Sequence, residues 1–166
     1  MELPARPFAH LHHVALITND MRKTVAFYRD LLGGEVIMAH RMSRPGNERH
    51  YFIGVTPTTV FAFFEFPDAT LPAYKGATLT PSAEAAPAAR ALDHIAFFAP
   101  DEATFAAWHQ RLSDAGVAGL TPIRPLGFGL RAYFFADPNG IVLEIMSPPP
   151  ANWLASPVLD DPDPAY

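Results

Sequence analysis

The sequence contains no cysteine, so disulfides and thiolate chemistry are both excluded. It also has no run of lysine or arginine, and its formal charge is −5, which argues against nucleic acid or an anionic membrane surface as a partner. No stretch of about 18 apolar residues runs uninterrupted, and Met1-Glu2-Leu3-Pro4-Ala5-Arg6-Pro7 lacks an apolar segment of signal-peptide length. The expectation is a soluble cytoplasmic protein with a small molecule as its partner. Apolar residues make up 49% and aromatic ones 12%, enough for a real core. Eighteen prolines, about twice the usual ~5%, cluster outside the periodic segments and mark connections. At 166 residues the chain is one ordinary domain, or two half-domains sharing a core.

One stretch is written twice. Leu11-His12-His13-Val14-Ala15-Leu16-Ile17-Thr18-Asn19-Asp20 returns as Leu92-Asp93-His94-Ile95-Ala96-Phe97-Phe98-Ala99-Pro100-Asp101, with His13 to His94 and Asp20 to Asp101 both 81 residues apart. One structural unit has been used twice, and each copy places a histidine near the start of an apolar strand.

In the first copy, a strand from Leu11 to Ile17 leads to an N-cap at Asn19-Asp20 and a helix whose apolar face is Met21, Val25, Tyr28 and Leu32. Gly33-Gly34 ends it, and strands follow at 35–42, 49–55 and 59–66. Residues 67–90 lack periodicity and form a linker or lid. The second copy, 91–147, repeats the plan: a strand from Leu92 to Phe98, an N-cap at Asp101, a helix facing inward through Phe105, Trp108, Leu112 and Ala115, then strands at 119–123, 130–136 and 141–146. Asp137-Pro138-Asn139-Gly140 reads as a turn. Residues 148–166 form a tail rich in proline and aspartate.

Four side chains do not suit their surroundings. Glu65 is the only charge in the apolar run 60–66, and Glu144 the only one in 141–146. Each shares its strand face with apolar residues, so each must protonate, find a cation or face water. His13 and His94 also lie on apolar strand faces. Glu65 follows His13 by 52 residues and Glu144 follows His94 by 50, so each copy carries one histidine on its first strand and one glutamate on its last. If the two sheets pair about a pseudo-twofold axis, these four groups can converge. Such a mixed nitrogen and oxygen set suits Zn, Ni, Fe, Co or Mn. His50, opening the third strand, could reach a pocket mouth; His12 is expected to point opposite to His13, and His109 toward solvent.

His13-Val14-Ala15-Leu16 with Asn19-Asp20, Phe27-Tyr28 with Leu32-Gly33, His94-Ile95-Ala96-Phe97, and Asp137-Pro138-Asn139-Gly140 with Glu144 together resemble the vicinal oxygen chelate superfamily. That superfamily includes glyoxalase I, methylmalonyl-CoA epimerase, extradiol dioxygenases and fosfomycin or bleomycin resistance proteins. The resemblance covers residues 11–147. It implies an α+β fold of two tandem βαβββ modules forming a curved mixed sheet around a divalent metal ion. His13, His94 and Glu144 match the family's metal positions, and Glu65 falls where glyoxalase I has its fourth ligand.

The leading functional expectation is a glyoxalase-like lyase or isomerase acting on a small oxygenated substrate through an enediolate, with Glu144 or Glu65 moving the proton. Phe61, Phe63 and Phe98 would form an aromatic pocket, and Phe128, Arg131 and Tyr133 would touch substrate. The alternatives are an Fe(II)-dependent extradiol-type dioxygenase and a non-catalytic binding module of the bleomycin-resistance type. The extradiol pattern has a tyrosine before its Asp-Pro turn, where Phe134 is in register and Tyr133 is one residue out of step. The resemblance also implies a homodimer.

Overall fold

Asp20 begins the first helix because its carboxylate accepts a hydrogen bond from the Lys23 amide at 3.0 Å, satisfying one of the open donors of the first turn. The computed structural model describes residues 11–43, 46–71, 92–127 and 129–149. Strand β1, His13–Thr18, precedes helix α1, Met21–Val25, which continues as a π-helical stretch, Ala26–Leu31. Gly33 leaves the helix with φ 74°. At Gly34 a Cβ would come within 2.8 Å of the carbonyl oxygens of Tyr28 and Gly54, so only glycine lets the helix end approach the sheet this closely. Strands β2 (Glu35–Arg41), β3 (Arg49–Thr56) and β4 (Thr59–Glu65) complete the first module.

The second module runs β5 (Ile95–Phe98), α2 (Glu102–Asp114), β6 (Arg124–Gly127), β7 (Leu130–Ala136) and β8 (Val142–Met146). The class is α+β, with two tandem βαβββ modules, each closing its own four-stranded mixed sheet. The orders are β1-β4-β3-β2 and β5-β8-β7-β6. In each, the first strand runs parallel to the last. The described residues fall into two compact units divided between 76 and 77, with the turn Ala136–Ile141 joining the first. Most of the segment 67–90, and the tail beyond 149, lie outside the described residues.

Alternation then assigns the faces. In the first unit Leu16, Phe61, Phe63 and Glu65 share the helix side, where Tyr28 packs against Phe61 and Phe63 with ring centroids 5.6 and 5.1 Å apart. In the second, Phe105 and Leu112 of α2 are buried, and Phe105 meets Tyr133 at 5.1 Å. Burying such a ring contributes roughly 1.5–3 kcal/mol.

One strand lies elsewhere than the sequence suggests. The expected strand 119–123 is not a ladder; β6 starts at Arg124. Gly119 has φ 68°, and Pro122 has no amide donor, so in place of a ladder Thr121 exchanges hydrogen bonds with Phe134 of β7.

The turn at 137–140 is a densely bonded part of the first unit. The Asp137 carboxylate accepts hydrogen bonds from the amides of Asn139 and Ile141 at 2.8 Å, from Asn139 Nδ2 at 2.9 Å and from the Tyr28 hydroxyl at 3.0 Å. Asn139 Nδ2 also reaches the Thr24 hydroxyl, which bonds to that of Thr18. Burial pushes the Asp137 carboxyl above the usual range, against those donors, and burial beside Asp137 pushes the Tyr28 hydroxyl well up.

In the second unit, Asp101 caps α2 by accepting from the Thr104 amide at 2.7 Å, which holds its carboxyl below the ordinary 3.8. A depressed carboxyl stabilises the fold above its unfolded pKa and loses that contribution as pH falls through the folded value. Asp101→Ala is therefore expected to lower the melting temperature at pH 7. Thermal melts across a pH series should show the gap narrowing as pH falls below the ordinary 3.8 toward the depressed folded value.

Candidate metal centre

In the second unit, β5 and β8 run parallel with Ala96 level with Glu144. Glu144 therefore sits two residues past the level of His94, on the same face. The two side chains meet: His94 Nε2 lies 3.0 Å from Glu144 Oε2. His94 Nδ1 contacts Asp93 Oδ2 at 2.7 Å, so one ring nitrogen is oriented by a carboxylate while the other addresses Glu144. Glu144 is only 4% exposed. Burial pushes its carboxyl up, and the His94 contact pulls it back down. Phe134 packs edge-on against the His94 ring at 5.6 Å, and Ala96 and Phe98 extend the same face, with Phe98 36% exposed.

A buried carboxylate and an oriented imidazole held together in this way suit a divalent cation, which takes oxygen and nitrogen ligands of these types. Among the described residues, no three His, Asp or Glu side chains gather into one cluster.

His13 lies on the face of the first sheet opposite the helix. It shares that face with Ala15, Ile17, Ala62, Phe64, Phe52, His50, His40 and Met38. His13 lies 5.7 Å from the Phe52 ring, and His50 stacks on Phe64 at 3.7 Å with its Nδ1 3.3 Å from His40 Nε2. His12 does not point away from His13; their Nδ1 atoms are 2.7 Å apart. Ile17 and Met38 stay about half exposed on this face.

Glu65 is not where the sequence reading puts it. Val60 is the partner of His13 and Thr18 that of Glu65, so Glu65 lies five residues along the strand pair and on the opposite face. At about 3.3 Å per residue, that is roughly 16 Å from the level of His13. The level that matches Glu144 is occupied by Ala62, opposite Ala15. Glu65 is buried as expected, but its cation is Arg49, whose Nη1 donates to Oε2 at 2.6 Å, while Oε1 accepts from the Met21 amide at 2.9 Å. Its carboxylate is engaged on the helix side and does not reach the histidine face.

Other expected substrate contacts are also reassigned. Phe61 and Phe63 are fully buried against Tyr28 and belong to the core. Tyr133 is buried too, its hydroxyl donating to the Phe105 carbonyl at 3.1 Å, and burial pushes that hydroxyl well above its ordinary value. Arg131 reaches Glu102 and lies over the Phe105 ring at 5.2 Å, so it ties β7 to α2. His109 bonds to the Thr121 carbonyl at 3.0 Å rather than to solvent. Phe128 lies outside the described residues. Phe134 and Phe52, which sequence reasoning did not assign to the site, stand beside the two histidines; strand parity from each histidine is the signal that could have found them.

Comparison with known proteins agrees with the fold. The family model described as Glyoxalase/Bleomycin resistance protein/Dioxygenase superfamily matches residues 10–145. The uncharacterized protein YwkD of Bacillus subtilis (strain 168) is 32% identical over 139 residues, covering 81% of this chain and 94% of its own length. Among solved structures, a glyoxalase family protein from Enterococcus faecalis is similar with TM-score 0.61 and 26% identity, over 84% of this chain and 98% of that one. The fosfomycin resistance protein FosX from Listeria monocytogenes, complexed with Mn(II) and 1S,2S-dihydroxypropylphosphonic acid, is similar in fold with TM-score 0.60 and 21% identity, over 83% of this chain and 91% of that one. The duplicated βαβββ module, the histidine opening each copy and the family match across nearly the whole described chain place it in the glyoxalase/bleomycin resistance protein/dioxygenase superfamily, also called the vicinal oxygen chelate superfamily.

Proposed function

We propose that this chain is a metal-dependent enzyme of its superfamily, acting on a small oxygenated substrate as a lyase or isomerase. The observation that carries the reading is the His94–Glu144 pair, 3.0 Å apart with the carboxylate buried. His94 Nε2 and Glu144 Oε2 would hold the cation, and the resemblance, rather than the geometry of either unit, adds His13. A divalent cation bound there supplies Lewis acidity toward substrate oxygens.

The chain's own residues do the rest. Asp93 fixes the imidazole so that Nε2 faces Glu144. With Oε2 given to the cation, Glu144 could take up and return a proton at its other oxygen, Oε1. Phe134, Ala96 and Phe98 give the substrate an apolar wall on the same face. With Glu65 turned to the helix side, a second carboxylate is removed from the scheme, and Glu144 alone handles the proton. A phenylalanine beside His94, with the Tyr133 hydroxyl bonded elsewhere, withdraws support from the extradiol alternative.

The test is the metal content of protein purified without air or added metal, by elemental mass spectrometry, with His94→Ala alongside. Near-stoichiometric nickel, zinc, cobalt or manganese that disappears in the variant is the expected result. Iron lost in the variant would transfer the assignment to a dioxygenase. Metal content unchanged by His94→Ala, or none at all, would overturn the enzyme reading in favour of a binding module.

A further inference from the structure

On the helix side of the first unit, away from the histidine face, a cleft of about 330 Å³ is lined by Met21, Arg22, Val25, Arg29, Arg49 and Tyr51. Three of its six walls are guanidinium groups, in a chain whose formal charge is −5 and which has 12 lysines and arginines in all. Scattered arginines would not gather in this way; two secondary-structure patterns bring these together. Arg22, Val25 and Arg29 recur at three and four residues along one side of the helix. Arg49 and Tyr51 are alternate residues of β3 on its helix face, since Tyr51 pairs with the core residue Phe63.

The π-helical winding of Ala26–Leu31 sets the position of Arg29, and such windings recur at functional sites. The wall is also fixed from behind. Glu65, 5% exposed, holds Arg49 through Oε2 and the first helical amide through Oε1, so strand and helix are tied at the floor of the cleft. One Arg49 donor is used on Glu65, and a guanidinium carries five. Glu65 balances the charge of Arg49 and Asp30 that of Arg29, leaving Arg22 as the excess. Arg29 forks onto its neighbour Asp30, Nε to Oδ1 at 2.6 Å and Nη2 to Oδ2 at 3.0 Å, but both side chains are about half exposed, so water screens the pair and an incoming oxyanion competes with Asp30 for the guanidinium.

We propose that this cleft binds a small organic anion: a phosphate monoester or carboxylate, gripped by Arg22, Arg29 and Arg49, attached to a flat apolar group that lies against Tyr51 and Val25. Guanidinium forks match both oxyanions bidentately, and the aromatic and aliphatic walls select the attached group. The site is separate from the proposed metal centre, and either can fail without the other.

Isothermal titration of the full-length protein with phenyl phosphate, benzoate and inorganic phosphate tests it. The wild type should bind phenyl phosphate at one saturable site. The surface double variant R22A/R29A, with its melting temperature checked to be unchanged, should bind about tenfold or more weaker, the loss expected for charge-assisted hydrogen bonds. His94→Ala should bind as the wild type does. Whichever of phenyl phosphate and benzoate binds tighter identifies the oxyanion. Inorganic phosphate equal to phenyl phosphate would overturn the apolar half of the proposal. No saturable binding to any of the three, equal affinity in R22A/R29A, or loss in His94→Ala would overturn the site.

Discussion

Asp137→Ala is expected to cost about 4 kcal/mol of folding stability, the loss of several buried hydrogen bonds at once with their donors left unsatisfied. The carboxylate is 4% exposed and accepts from four donors, two of them backbone amides of its own turn. Alanine removes every acceptor at once and leaves the Tyr28 hydroxyl, the Asn139 side-chain amide and two backbone N–H groups facing a void. Tyr28→Phe is the instructive contrast: it deletes one donor, leaves the carboxylate three, and should cost only about 1 kcal/mol. For a chain of this size, the alanine variant should melt roughly 8–16 °C lower. Urea and thermal unfolding of the two variants measure both. A cost under about 1 kcal/mol for Asp137→Ala would mean that water replaces the carboxylate and that the turn is not a structural lock.

Glu144→Gln is expected to weaken binding of a divalent cation by at least about 100-fold while leaving the metal-free protein as stable as the wild type, or more so. The two halves of this expectation have one cause. Glutamine keeps the size of the side chain and an oxygen for His94, but removes a charge that burial disfavours, so folding loses nothing. The cation loses its anionic ligand. Competition against a chromophoric chelator gives the affinity, and thermal melts in excess chelator give the stability. An affinity within about threefold of the wild type would remove Glu144 from the ligand set.

The duplicated strand-helix pattern was legible in the sequence because its signals are local: Asp20 and Asp101 cap the helices, Gly33 ends the first, and the apolar periods of α1 and α2 fall where Tyr28, Phe105 and Leu112 are buried. The burial of Glu65 and Glu144 was legible for the same reason. The face of Glu65 was not. Spacings of 52 and 50 residues look equivalent along the chain, but the pairing register, which no local signal carries, decides the face. In one module it puts the glutamate level with Ala96; in the other it puts alanine at that level and the glutamate beyond, on the back. The same register reassigns Phe61, Phe63 and Tyr133. The arginine cleft was invisible because its residues come from a helix and a strand 20 or more positions apart, with nothing in either segment to announce the other.

The lock at Asp137 also sets an order of events. Tyr28 and its partner are separated by 109 residues, and Asn139 and Thr24 by 115. During synthesis the first sheet and its helix can assemble from their own stretch of chain, but the Tyr28 hydroxyl has no carboxylate until the chain has emerged through Asp137. Closing a loop of that length is slow and entropically opposed, so native completion of the first half is a late step. A sheet and helix made early are completed by a turn made more than 100 residues later.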